Sequence, residues 1–215
     1  MSKHEEMNRP AVRRSLLPRV LAVAVVMTSL TSVLSVAAAA PRAPQFGPVI
    51  EDYASHVDPE RCRPKDKPGV ETFADLLLDA YPDSTWFGIG RACDGEATSD
   101  HHEGRALDWG RDAHDRSERA DVRNLLDWLF ATDRHGNTDA LARRLGIVYV
   151  IWNRRMWGSW SGEWSVYCVK KPSGCRDPDS RALLNPHTDH VHISFAWDGA
   201  RMKTTFWDPD ASQAD

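Results

Sequence analysis

Six consecutive residues, Ile147-Val148-Tyr149-Val150-Ile151-Trp152, set the tightest limit on what this chain can become. The run is apolar and rich in β-branched side chains, and it is too short for a buried helix. It therefore reads as a central strand covered on both faces. Thr138 to Leu145 reads as a helix, with Thr138 as its cap and Gly146 as its stop. Val191 to Ala196 reads as a last strand, Thr85 to Ala92 as a strand with glycines at a close approach, and Trp157 to Tyr167 as an aromatic hairpin. Helical periodicity runs through Phe73, Leu76, Leu77 and Tyr81 within 71–81, ended by Pro82 and Asp83, and through Val122, Leu125, Leu126, Leu129 and Phe130 within 117–131. Helices and strands mix without a regular βαβ period or an internal repeat. The expected fold is α+β, a small, mostly antiparallel sheet with helices packed to one side.

The first 39 residues differ in kind. Lys3, Arg9, Arg13, Arg14 and Arg19 precede a nearly charge-free stretch from Leu21 that ends in small residues, Ala37-Ala38-Ala39-Ala40. This is the pattern of a secretory signal peptide cut after Ala39. The competing reading is an uncleaved anchor, since the run approaches the ~20 residues needed to span a bilayer. Residues 40–49 read as a Pro-bearing linker and 50–210 as the folded domain, acting as a monomer with no membrane attachment once the signal is removed. The chain carries a formal net charge of −4, and residues 1–39 contribute +3, so the remainder stands near −7. Nucleic-acid binding needs Lys and Arg to neutralise phosphates, and so nucleic acid is not an expected partner.

All four cysteines, Cys62, Cys93, Cys168 and Cys175, lie beyond the leader. An even count in an oxidising compartment reads as two disulfides. The favoured pairing is Cys62–Cys93 with Cys168–Cys175, because the latter closes a short loop containing Pro172 and Gly174. A cysteine zinc site is the weaker reading, as no C-x-x-C is present. The nine tryptophans are numerous for this length. Most belong in the core, and Trp157, Trp160 and Trp164 are candidates for exposed rings near a binding surface.

Chemistry concentrates in two clusters. One is Ser99-Asp100-His101-His102-Glu103-Gly104-Arg105-Ala106-Leu107-Asp108, the other His187-Thr188-Asp189-His190-Val191-His192. A catalytic zinc takes three N or O ligands and leaves a position for water. His101 and Asp108 supply an imidazole and a carboxylate, and Gly104 lets the backbone fold back between them. Side chains alternate along a strand, so His190 and His192 share a face, and one can ligate while the other stands alongside. His102 reads as a solvent-facing neighbour. The competing reading makes Asp108 a cap or an arginine partner and the histidines ordinary surface or core residues.

Ser99-x-His101-x-x-Gly104-x-Ala106-x-Asp108 resembles the S-x-H-x-x-G-x-A-x-D signature of zinc D-Ala-D-Ala carboxypeptidases and dipeptidases. Their superfamily includes murein endopeptidases and the hedgehog signalling domain. The likeness is greatest to secreted bacterial proteins with a peptidase-like C-terminal domain, in which segments like 143–153 and 187–195 are typical, and it covers most of 50–208. It implies a Zn2+ ion held by His101, Asp108 and His192. It leaves the base open among Asp189, His190 and His187: Asp189-x-x-His192 keeps the E-x-x-H spacing with Asp for Glu, whereas His187, His190 and His192 fit H-x-x-H-x-H. Arg91 corresponds to a polar group beside the substrate carbonyl, or else is a surface ion-pair partner.

The function so implied is hydrolysis of amide bonds in peptidoglycan stem peptides, or in another extracellular peptide, by a secreted zinc peptidase of D,D-carboxypeptidase or endopeptidase type. The alternatives are a zinc-holding extracellular binding module of the same fold and a metal-free domain held by disulfides.

Overall fold

The computed structural model describes residues 40–84, 87–93, 99–167 and 186–213. The core element is a six-stranded, fully antiparallel sheet in the order β1-β2-β6-β3-β4-β5, built from β1 (Phe87–Gly88), β2 (Ala106–Gly110), β3 (Ile147–Trp152), β4 (Arg155–Gly158), β5 (Glu163–Val166) and β6 (His190–Phe195). The expected central strand has the predicted bounds, and it lies between β6 and β4. Its neighbour β6 joins the first half of the chain to the second, because β6 also pairs with β2.

The helices α1 (Pro68–Ala80), α2 (Arg116–Phe130), α3 (Ala140–Leu145) and α4 (Trp197–Ala200) supply the apolar cover. Phe73 and Leu77 of α1 and Val122, Leu125 and Leu129 of α2 are fully buried, in one cluster with Leu107, Trp109, Val150, Val191, Ile193 and Phe195 of the sheet. Those strand residues alternate with Asp108, His190, His192 and Ser194, which face the other way. Sequence alternation thus separates a face that buries the core from a face that carries the chemistry. The architecture is α+β, as the sequence leads one to expect. Among the described residues no helix is long and apolar enough to cross a membrane.

Local chemistry explains most boundaries. Asp115 caps α2, its carboxylate accepting from the Ser117 and Glu118 amides at 2.8 and 3.0 Å, an arrangement typically worth about 1 kcal/mol. Gly146 closes α3 in the left-handed region at φ 68° and hands the chain directly to β3. Thr138 does not cap α3: that position is taken by Asp139, at φ 50° and without a side-chain cap. The expected hairpin in 157–167 is β4–β5, while Thr85 and Trp86, the start of the expected strand at 85–92, lie outside the described residues. A second hairpin, β3–β4, turns on Asn153 and Arg154, both at positive φ (44° and 67°). That conformation is held from outside, since the Asn153 and Arg154 amides donate to the His187 and Pro186 carbonyls at 2.7 Å each.

The segment read as a linker lies against the domain. The Gly47 amide donates to Ser212 Oγ at 2.8 Å, and the buried Arg144 guanidinium donates to the Gly47 and Val49 carbonyls, both at 2.8 Å. Cys62 and Cys93 form a disulfide. Cys168 and Cys175 lie outside the described residues.

Candidate metal centre

Asp108 on β2 and His192 on β6 sit directly opposite each other in the ladder, on the face away from the helices. The third member arrives from a 3-10 turn, Asp100–Glu103. Ser99 opens this turn by accepting from the His101 amide, and Gly104 closes it at φ 66°. Gly104 is required twice over: its φ is left-handed, and a Cβ there would stand 2.1 Å from the Lys65 carbonyl oxygen. The turn brings His101 Nε2 within 3.1 Å of Asp108 Oδ1 and 3.2 Å of His192 Nδ1, while His192 Nδ1 lies 2.9 Å from the same carboxylate oxygen.

His101, Asp108 and His192 are all buried, and their ligand atoms lie within 4.8 Å of one another, a group that could hold a metal ion. The surrounding hydrogen bonds fit that use. His101 Nδ1 lies 2.5 Å from the Ile89 carbonyl, which can only accept, so Nδ1 carries a proton and Nε2 is the nitrogen turned to the centre. His192 Nε2 lies 2.9 Å from Ser194 Oγ, which turns Nδ1 inward. Metal-ligating histidines characteristically have their outer nitrogen engaged in this way. Tyr149 stacks flat on His192, ring centroids 5.3 Å apart and planes 9° apart, fixing the ring further.

The electrostatics agree with an anionic carboxylate beside an uncharged His192. Burial on its own would raise the Asp108 carboxyl, but hydrogen bonds from His101 and His192 outweigh it and hold the group far below the usual carboxylate range. Burial lowers His192, against the pull of Asp108, and so favours the uncharged ring that a metal needs. Burial, reinforced by Asp100, pushes the Tyr149 hydroxyl up, so that ring stays neutral.

The remaining predicted residues divide. Arg91 Nη2 lies 3.2 Å from Asp108 Oδ2, so it grips the oxygen turned away from the two histidines while remaining 54% exposed. His190 Nε2 lies 3.7 Å from Asp108 Oδ1, and its Nδ1 lies 2.8 Å from Asp189 Oδ1. Asp189 itself does not enter the centre: its side chain is 80% exposed and pairs with His190. His187 is buried, with its ring 4.6 Å from that of His190 and 5.9 Å from that of His192. His102 is buried, not solvent-facing, because residues around Arg63 lie across it; the Arg63 amide donates to the His102 carbonyl at 2.6 Å. Of the three tryptophans expected near a surface, Trp157 is buried in the core, Trp164 is half-buried and Trp160 is exposed. Sequence reasoning missed Ser194 and Tyr149. The alternation that aligns His190 with His192 extends to Ser194, and Tyr149 is the one hydroxyl-bearing residue in its apolar strand.

No curated protein and no solved structure matches the chain. The family model for the VldE C-terminal domain matches residues 62–172, just over half of the sequence. The match takes in Arg91, His101 and Asp108, and ends before β6 and His192. On this match, the chain belongs to the VldE C-terminal domain family.

Proposed function

We propose that the protein is an exported zinc-dependent hydrolase that cuts amide bonds in the stem peptides of peptidoglycan. The observation that carries this reading is the pairing of two constellations on one sheet face. Two imidazole nitrogens and a carboxylate converge, and an Asp–His couple stands beside them. The donor set of two nitrogens and one oxygen, with no thiolate, suits zinc with positions left for reaction. The Cys62–Cys93 disulfide and the leader-like first 39 residues support export.

Held by His101, Asp108 and His192, a divalent cation would supply Lewis-acid chemistry for the scissile carbonyl and for water near neutral pH. The chain's own residues do the rest. His190 Nε2 faces the centre and takes the proton from the attacking water, and Asp189 accepts a hydrogen bond from Nδ1–H and steadies the imidazolium that results. The same imidazolium then protonates the leaving amine. His187 packs against the His190 ring and limits its rotation. Arg91, bound to Asp108 Oδ2, keeps that carboxylate oriented and lies within reach of charge developing on a substrate oxygen. The question left by the sequence, which of Asp189, His190 and His187 acts as base, is answered in this reading by His190, with Asp189 positioning it.

His190→Ala tests the reading. Release of stem-peptide fragments from peptidoglycan falls by about 10²–10⁴, while zinc content stays at one per chain. Unchanged cleavage in His190→Ala removes the assigned base. A wild-type chain that holds zinc but releases nothing from any cell-wall substrate favours the binding module, a reading supported by the exposure of Asp189, the carboxylate paired with His190 Nδ1.

A further inference from the structure

We infer that Trp160 is a stacking platform for a pyranose ring next to the metal centre, so that the substrate is held by its saccharide as well as by its peptide. At 61% exposure Trp160 is the most exposed large apolar side chain among the described residues. Its indole nevertheless has a fixed seat. It lies on Gly158, where a Cβ would come within 2.4–2.7 Å of three indole carbons. The turn that carries it is tied down as well. The Ser161 and Gly162 amides donate to the Gly158 carbonyl at 3.1 and 2.9 Å, and Ser159 Oγ donates to the Ala54 carbonyl at 2.5 Å. A rigid aromatic face presented to solvent loses little entropy when it binds a ligand.

The platform adjoins the proposed catalytic centre. Gly158 pairs with Tyr149 across β3–β4, and Tyr149 is the ring stacked on the ligand His192. Trp160 lies 6.4 Å from Tyr149 and 6.3 Å from His56, centroid to centroid. His56 in turn has Nδ1 at 3.5 Å from Asp58 Oδ1, and the Asp58 carboxylate is 93% exposed. The indole face is electron-rich and attracts the weakly positive C–H groups on one side of a pyranose. His56 stands at its rim with the exposed Asp58 paired to it, where hydroxyls and an acetamido group would need donors and acceptors. An aliphatic peptide side chain would be better served by a closed apolar pocket than by one open ring with a polar edge.

The polymer named rests on the hydrolase reading, but the platform can be tested without any cleavage. Calorimetric titration of the full chain with soluble oligosaccharides of N-acetylglucosamine is expected to show binding. Trp160→Ala should weaken it by about tenfold, Trp160→Phe should weaken it less, and Gly158→Ala should weaken it by dislodging the ring. The melting temperature of Trp160→Ala stays at the wild-type value, because the ring is exposed. No saccharide binding to the wild type, or equal binding to wild type and Trp160→Ala, overturns the proposal. So does a sugar-free stem peptide whose binding depends on Trp160 when the oligosaccharide's does not. Saccharide binding without hydrolysis sinks the hydrolase and leaves the platform; hydrolysis without saccharide binding does the reverse.

Discussion

Asp108→Asn is expected to purify with less than a tenth of the zinc found in the wild type, and its melting temperature should no longer respond to a chelator. Asp108 Oδ1 lies within 3.1 Å of both ligand nitrogens, and Asn in that place keeps the shape but loses the charge. Loss of a hydrogen-bonded neighbour of a ligand typically costs 10–100-fold in metal affinity, so loss of the charged ligand should cost at least about a hundredfold. Bound metal stabilises the native state by mass action, about 4 kcal/mol at a thousandfold excess over Kd. The wild type should therefore melt at a clearly lower temperature after chelation, and Asp108→Asn should melt at the same temperature with or without chelator. Metal analysis alongside thermal melts reads both. A chelator response of wild-type size in Asp108→Asn would mean that the stabilising ion sits elsewhere.

Arg105→Met is expected to destabilise the protein by about 3–5 kcal/mol, the usual result of stripping a buried ion of its partner. Arg105 is fully buried. Its Nη2 lies 2.8 Å from Asp100 Oδ1, its Nε 2.9 Å from Glu103 Oε2 and its Nη1 3.2 Å from the Phe195 carbonyl, and it also donates to the Val57 carbonyl. Without the guanidinium, Asp100 and Glu103 are left as carboxylates in the interior. The melting temperature should fall by roughly 10 °C, at 2–4 °C per kcal/mol for a domain of this size. Because Asp100 and Glu103 flank His101 on the same turn, zinc affinity should fall with stability. Adding Asp100→Asn and Glu103→Gln to Arg105→Met should recover part of the loss, since it removes the stranded charges. A single variant that melts within 2 °C of the wild type would show the network to be dispensable.

How far the sequence could be read depended on whether a residue's neighbours were local. The β3 run was legible because a strand covered on both faces is apolar throughout, and its chain neighbours Gly146 and Leu145 carry their own stop signal. The shared face of His190 and His192 followed from alternation alone. The β3–β4 turn was not legible. Arg154 at positive φ has no local reason to be there, and the Pro186 and His187 carbonyls that hold the turn lie more than thirty residues away. Asp189 misled for a related reason. Spacing places it where a catalytic Glu would be, but the strand begins at His190 and leaves Asp189 outside, paired with its neighbour. Trp157 and Trp160 are three residues apart and look alike in sequence. Register against Val150 turns Trp157 into the core, whereas Trp160 sits on the turn beyond the strand. His102 was misplaced because the chain that covers it comes from around Arg63, a non-local contact that no pattern within 99–108 encodes.

Equilibrium dialysis of the metal-stripped full chain against zinc tests the central claim most directly, with the wild type and His101→Ala run side by side. The wild type should take up one ion per chain, saturably, and His101→Ala should bind at least about a hundredfold more weakly, since one of the three donors is gone. A wild-type chain that takes up no zinc, or a His101→Ala chain that binds it as tightly as the wild type, would contradict a metal centre built on His101, Asp108 and His192.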